Sequence, residues 1–374
     1  MEGIVMNWFR AHLTLATAGA ILLVGIGLGA GWGRGLRASA QGGDPLSSAT
    51  LMELPIRLTQ SAQIRPTGQV KSFDLTARAT TWELLPGVTA DAVAYNGQVP
   101  GPTIRVTEGD TLRVILRNEL DQATSIHWHG LHVPNAMDGV PGVTQAPVRP
   151  GETFTYEFTA SHAGTFMYHP HINSVAQIDR GLSGVLIIDP QTPDPTRFDR
   201  EFTMMLGAWQ IQGPTPPGAA APAMADHGMG MGAGTSMGMG MGYNYFTING
   251  KAFPALDPWP VREGELIRVR LINISNLTHP MHLHGQDFKV IAKDGEPLRE
   301  QLVANTLSVG AGETYDIAFL ANNPGNWMFH CHELHHTEND GVEPGGLMQL
   351  IQYEGAPRSA PLSPVGPGGQ HGGH

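Results

Sequence analysis

Only one cysteine, Cys331, occurs in the 374 residues, so no disulfide can form within the chain. Charged residues are also scarce, at 15%, while glycine (48) and proline (29) are abundant, which favours short strands and many turns. There is no basic excess: the formal net charge is −11, which argues against nucleic acid as a partner. One long uncharged run, Leu13 to Gly33, follows a positively charged amino terminus and precedes Ala38-Ser39-Ala40, a small-residue pattern of the signal-peptidase type. Residues 1–40 are therefore expected to be a signal peptide, with an uncleaved membrane tether through residues 13–33 as the alternative. Either way the remainder is exported, to the periplasm or outside the cell. In an exported protein an unpaired cysteine needs a reason, and metal ligation supplies one.

Histidine is where the sequence concentrates its chemistry. Four His-x-His pairs occur: His127-Trp128-His129, His169-Pro170-His171, His282-Leu283-His284 and His330-Cys331-His332. Strand side chains alternate between two faces, so each pair aims two imidazoles the same way and its middle residue the opposite way. Eight imidazoles exceed what one metal ion can use. They also fall into an internal repeat. Asn96-Gly97, Val106 to Val114, the first pair, Pro150 to Thr153 and Gly164 to His169 recur as Asn249-Gly250, Val261 to Val269, the third pair, Gly312 to Thr314 and Gly325 to His330. The offset is 155 residues from His127 to His282 and 161 from His169 to His330. Two copies of one all-β unit account for this.

Soft thiolate with imidazole suits copper, and two histidines, one cysteine and a weak axial group make a blue-copper site. Cys331 supplies the sulfur. Its two imidazoles must come from outside the pairs, because His330 and His332 face away from it. His336, five residues on, and His279, three before His282, are the candidates, with Met348 for the weak axial position. The eight paired imidazoles are left for a polynuclear copper centre, joined covalently to the sulfur through His330-Cys331-His332.

The segments Ser125 to Leu131, Asp138 to Gln145, Tyr168 to His171, His279 to Gly285 and His330 to His336 resemble those of the multicopper oxidases, the laccase-like family. The resemblance covers about residues 66–354. It implies two cupredoxin-like Greek-key β-sandwiches, 66–190 and 199–354, preceded by a linker (41–65), joined by a connector (191–198) and followed by a disordered tail (355–374). It also implies roles. His279, Cys331 and His336 would hold a type 1 copper, and His127 and His282 a type 2 copper. His129, His169, His171, His284, His330 and His332 would hold a type 3 pair, for about four coppers per functional unit. Asp138 would relay protons to reduced oxygen, with Glu338 a second candidate. Pro170 stands where a thiolate would be, so the first domain holds no type 1 site.

Two features depart from the usual family pattern. The middle domain of the three-domain members is missing, which resembles the two-domain oxidases that share each cluster between neighbours in a head-to-tail homotrimer. The segment Asn339 to Pro344 is additional, so Gly341 occupies the usual axial position; Met348 or Leu347 then takes that place. The reading is an oxidase that takes single electrons from a phenol, Cu(I), Fe(II) or Mn(II) and reduces dioxygen to water. A copper nitrite reductase is the first alternative, opposed by Pro170 and the full octet. A non-enzymatic copper carrier is the second. It would use the Gly/Met-rich insertion 213–242, with Met224, Met229, Met231, Met237, Met239 and Met241 as soft Cu(I) ligands. His335, His12, His132, His162, His227, His371 and His374 match no motif.

Overall fold

The computed structural model describes residues 54–59, 64–211 and 242–357. The export segment 1–40, the methionines of the insertion and the tail beyond 357 lie outside the described residues. Among the described residues, no helix is long and apolar enough to cross a membrane.

The first sandwich comprises β1 (Val70–Leu85), β2 (Val88–Tyr95), β3 (Gly101–Thr107), β4 (Thr111–Asn118), β5 (His127–His129), β6 (Thr153–Thr159), β7 (Gly164–His169) and β8 (Gly184–Asp189). One sheet has the order β2-β1-β4-β6 and the other β3-β8-β7-β5. Alternation decides which residues face inwards: on β4, Leu112, Val114 and Leu116 are buried while the residues between them are half-buried or exposed. They join Trp128, Tyr156, Phe166, Tyr168 and Leu186 in one core.

The second sandwich comprises β9 (Arg200–Trp209), β10 (Tyr245–Ile248), β11 (Trp259–Val261), β12 (Leu266–Asn273), β13 (His279–Leu283), β14 (Phe288–Lys293), β15 (Glu296–Ala304), β16 (Thr306–Val309), β17 (Thr314–Leu320), β18 (Asn326–Cys331) and β19 (Met348–Tyr353). Its sheets have the orders β10-β9-β12-β17-β14-β15 and β11-β19-β18-β13-β16. Val269, Leu271, Ile317 and Phe319 share a core with Met281, Leu283, Phe329 and Cys331. The all-β expectation therefore holds. Cys331 sits inside this core, while its histidine neighbours turn outwards.

β7 and β8 are buried on both faces, which is why Val185-Leu186-Ile187-Ile188 is unbroken apolar sequence. Their outer face, Met167, Val185 and Ile187, packs on Met205 and Ile272 of the second sandwich. Burying each such side chain is worth about 1.5–3 kcal/mol. The same seam carries a buried ionic network. Arg270 on β12 reaches Thr165 Oγ1 of β7 at 2.5 Å, Glu201 at 2.6 Å and Asp316 at 3.0 Å. Residues 54–59, expected to be plain linker, instead form a strap on the second sandwich. Ile56 is buried against Ile291 and Ala318, and Lys289 Nζ donates to the Leu54 carbonyl at 2.6 Å.

Candidate metal centre

β13 and β18 run antiparallel with Met281 opposite Cys331 and His282 opposite His330. Residues directly opposite share a face, so Cys331 points with Met281 into the core and His330 points with His282 out of it. His279 lies two residues before Met281, on the inward face, and is fully buried. The 3-10 turn Leu334–Thr337 then brings His336 back beneath the sulfur. Cys331 Sγ lies 3.5 Å from His336 Nδ1 and 3.8 Å from His279 Nδ1, with the two nitrogens 3.0 Å apart. Bonds of about 2.0 Å to nitrogen and 2.3 Å to sulfur, as zinc makes, separate such donors by about 3.5–3.7 Å at trigonal angles. The triad is thus of a size to hold one metal ion.

Its electrostatics agree. Burial holds the His279 imidazole down to about 3, with His336 adding to the effect. Burial likewise takes His336 down to about 4. Both rings are therefore neutral at any ordinary pH. The Cys331 thiol is pushed up to about 12 by burial, so only a bound cation would displace its proton. Ser275 fixes the tautomer of His279. Its hydroxyl donates to Asn273 Oδ1 at 2.8 Å and accepts from His279 Nε2 at 2.7 Å, leaving the Nδ1 lone pair aimed at the sulfur. Phe246 covers His336, with ring centroids 4.2 Å apart.

The axial expectation needs correcting. Met348 pairs with His330 across β18 and β19, so its thioether leaves on the His330 face, away from the sulfur. Leu347 is the residue opposite Cys331: its carbonyl accepts the Cys331 N–H at 3.0 Å, and its side chain is buried in the same core. The Glu338 carboxylate lies 3.6 Å from the exposed His335, on the loop beside His336, and among the described residues no hydrogen bond or ion pair joins it to the paired histidines.

In the first sandwich β5 and β7 set His127 opposite His169, with Trp128 turned into the core between His127 and His129. Asp138 does reach this group. Its carbonyl is 2.8 Å and its carboxylate 3.4 Å from His127 Nδ1. The following Gly139 permits the approach: at φ +83°, a Cβ there would lie 1.7 Å from the Ile126 carbonyl oxygen.

A carbonyl oxygen can only accept, so each ring nitrogen facing one carries the proton. That places N–H on Nδ1 of His127, of His169 (Pro170 carbonyl, 3.0 Å), of His282 (Asn305 carbonyl, 2.8 Å) and of His330 (Cys331 carbonyl, 2.8 Å). In the neutral form of each ring, Nε2 is then the nitrogen with the free lone pair. His330 Nε2 faces His284 Nε2 at 2.8 Å, and His169 Nε2 faces His129 Nδ1 at 3.1 Å. Converging lone pairs of this kind suit a cation between them. Burial takes His169 down to about 4 and lowers His129, His284 and His330, which favours the neutral form that binds a metal.

Ring contacts join His127 to His129, His169 and His171, and His282 to His284, His330 and His332. Among the described residues, none joins the two quartets. Sequence reasoning missed Ser275, Asn305 and Thr306, whose hydroxyl also meets His282 Nδ1 at 2.9 Å.

Comparison with known proteins identifies the family. Two multicopper oxidase family models match residues 76–193 and 229–342. The chain belongs to the multicopper oxidase family. The blue copper oxidase of Nitrosomonas europaea is 36% identical, with a TM-score of 0.66 over 76% of this chain and 86% of that one. The multicopper oxidase mgLAC is 37% identical, with a TM-score of 0.68 over 78% and 88%. Copper resistance protein A of Escherichia coli is 31% identical over 70% of this chain but 48% of its own length, so the chain spans about half of that relative.

Proposed function

We propose that this chain is a copper-dependent oxidase that takes single electrons at the Cys331 site and passes them to dioxygen at a cluster held by the eight paired histidines. The carrying observation is the back-to-back arrangement on β18. Cys331 faces inwards to His279 and His336, while His330 faces outwards to His284. Bound copper would supply one-electron uptake at the first site and reduction of dioxygen to water at the second. The protein's part is to hold neutral imidazoles in fixed tautomers, to exclude water from the thiolate, and to leave Leu347 rather than a thioether opposite it. Asp138, beside His127, is the carboxylate placed to move protons at the cluster.

The cluster is completed between copies of the chain. Each quartet has the donors for half a cluster, and His171, His284 and His332 are exposed. Large apolar side chains are rarely exposed among the described residues, yet four of the five that are lie close in sequence to these halves. Val143 (79%) follows Asp138 and Val175 (52%) follows His171, while Leu302 (60%) precedes Asn305 and Leu334 (57%) follows His332. A head-to-tail contact would bury both sets, and three copies close such a ring.

Cu(I) is the donor we favour. The methionine-bearing insertion is rooted beside the electron-entry site. Asn244 ties Ile211 on one side of it, at 2.8 Å, and Asp340 of the His336 loop at 3.1 Å. A relative with the name copper resistance protein supports the same choice. Dioxygen uptake by copper-loaded protein with Cu(I), Fe(II), Mn(II) and a phenol is the test, with Cys331→Ser as control. Loss of uptake and of blue colour, with cluster copper retained, is expected. Dioxygen uptake that survives Cys331→Ser refutes the reading.

A further inference from the structure

In two of the four pairs the second histidine stands where a strand gives out. His129 is the last residue of β5, and His284 lies one residue beyond the end of β13. Each is followed by a glycine at positive φ, Gly130 at +87° and Gly285 at +70°. Glycine has more conformational freedom to lose than any other residue, so the strand ladder alone does not fix the chain at these points. In both sandwiches a side chain from the loop before the partner strand does so. His162 gives Nε2–H to the Gly130 carbonyl at 3.2 Å, and Asn323 gives Nδ2–H to the Gly285 carbonyl at 2.9 Å.

The two contacts are one device used twice. Gly130 and Gly285 are 155 residues apart, and His162 and Asn323 are 161 apart, the offsets that relate the histidine pairs themselves. The bare face of each glycine is covered from equivalent positions too. A Cβ on Gly130 would lie 3.0 Å from the Phe166 ring, and one on Gly285 2.7 Å from the Trp327 indole. His162 is 7% exposed, edge-on to Phe166 with centroids 5.0 Å apart, and its Nδ1 faces the Ser161 hydroxyl at 3.0 Å. Ser161 Oγ also reaches the His132 carbonyl at 3.1 Å, so the chain leaving His129 is held at two carbonyls. Asn323 is exposed, and among the described residues its side chain makes only the bond to Gly285.

We infer that His162 and Asn323 are positioning residues for the cluster: by holding the glycine carbonyl, each fixes the direction in which the preceding histidine, His129 or His284, presents its ring. The inference rests on reading the paired histidines as copper ligands. General support of the fold is the competing role, and the choice of residues opposes it. A buried imidazole and an exposed amide contribute very differently to packing, yet both aim an N–H at the same carbonyl of the repeat. What the two sandwiches have in common at this point is the donor.

The test measures copper(I) binding to the full chain without dioxygen, in competition with a coloured chelator, while nitrogen-15-labelled histidine rings report which quartet responds. Asn323→Ala is expected to weaken binding at the second quartet about tenfold, the low end for an outer partner of a metal ligand, and to shift or broaden the His284 ring signals. The His129 signals, the urea midpoint of metal-free protein and the blue absorbance of the oxidised Cys331 site stay at wild-type values. His162→Leu is expected to do the same to His129 and the first quartet. His162→Gln keeps an N–H near the place of Nε2 and is expected to bind as wild type does. If His162→Leu does not fold, Asn323→Ala decides alone. Wild-type affinity with unmoved His284 signals in Asn323→Ala overturns this inference and spares the oxidase reading. So does a loss of affinity accompanied by a lower urea midpoint, which would mean general support of the fold, and so does a folded His162→Gln as weak as His162→Leu. No copper-dependent change at any of the eight paired histidines overturns both.

Discussion

Replacing Arg270 with methionine tests whether the seam behind the cluster is as dry as its geometry implies. The Arg270 side chain is 4% exposed and Asp316 5%, and the guanidinium meets Asp316, Glu201 and Thr165 at once. Methionine keeps the unbranched stem of the side chain but lacks the guanidinium, and leaves Asp316 with only the Thr165 hydroxyl, which donates to it at 2.6 Å. Removing one member of a buried ion pair costs about 3–5 kcal/mol, against about 0–1 kcal/mol for an exposed pair. The expected loss at neutral pH is therefore about 3–5 kcal/mol, read from urea unfolding of metal-free protein. The pH dependence gives a second handle. Burial opposes ionisation of Glu201, but Arg270, Arg105 and Arg268 together hold its carboxyl below the ordinary 4.5. A depressed folded value means that this stabilisation is present above pH 4.5 and is lost as pH falls through the folded value. In Arg270→Met the Glu201 carboxylate loses the strongest of the partners that hold it ionised, so the deficit against wild type should narrow as pH falls towards 4. A deficit below about 1 kcal/mol, or one that does not change with pH, would mean that water reaches the network and would refute a dry seam.

Ser275→Ala should weaken copper at the Cys331 site about 10- to 100-fold, because His279 Nε2–H loses its acceptor; titration followed by the blue absorbance reads this, with cluster copper unchanged. Leu347→Met should change the potential and colour of the Cys331 site while Met348→Ala leaves both alone, and the reverse result would restore Met348 as the axial residue. Val143→Asp or Leu334→Asp should yield smaller particles by sedimentation, with copper falling from about four to about one per chain and the blue site intact; a monomer retaining about four coppers would refute the shared cluster.

The paired histidines were legible because strand alternation has a period of two and needs no tertiary information. The same parity separated His330 and His332 from the sulfur and pointed to His279 and His336. Parity failed where the chain turns. The hairpin between Asn339 and Val342 resets the register between His336 and β19, and the residue opposite Cys331 is decided there by one main-chain bond, from Cys331 N–H to Leu347. The direction of Glu338 was not legible for the same reason, since the 3-10 turn Leu334–Thr337 rotates the chain beyond it by an amount that spacing does not reveal. Asn305 carries no signature at all: it acts on His282 through its carbonyl oxygen, which every residue has, from a segment 23 residues further along the chain.

The seam between the sandwiches bears on how the proposed shared cluster would be built. The seam buries the outer face of β7 and places Gly312 against His129, which commits the second sandwich's β16–β17 turn to the first sandwich of its own chain. The second sandwich's quartet, on β13 and β18, makes no ring contact with the first among the described residues, so it remains available to another copy. If the cluster is shared as proposed, the second sandwich packs on a half-site in cis through the Gly312 turn and would complete a different half-site in trans with its imidazoles. A monomer would have its first-domain donors already oriented. Association then has only to bring in ligands rather than to order them, which lowers the entropic cost of building the cluster at each of the three junctions that a closed trimer contains.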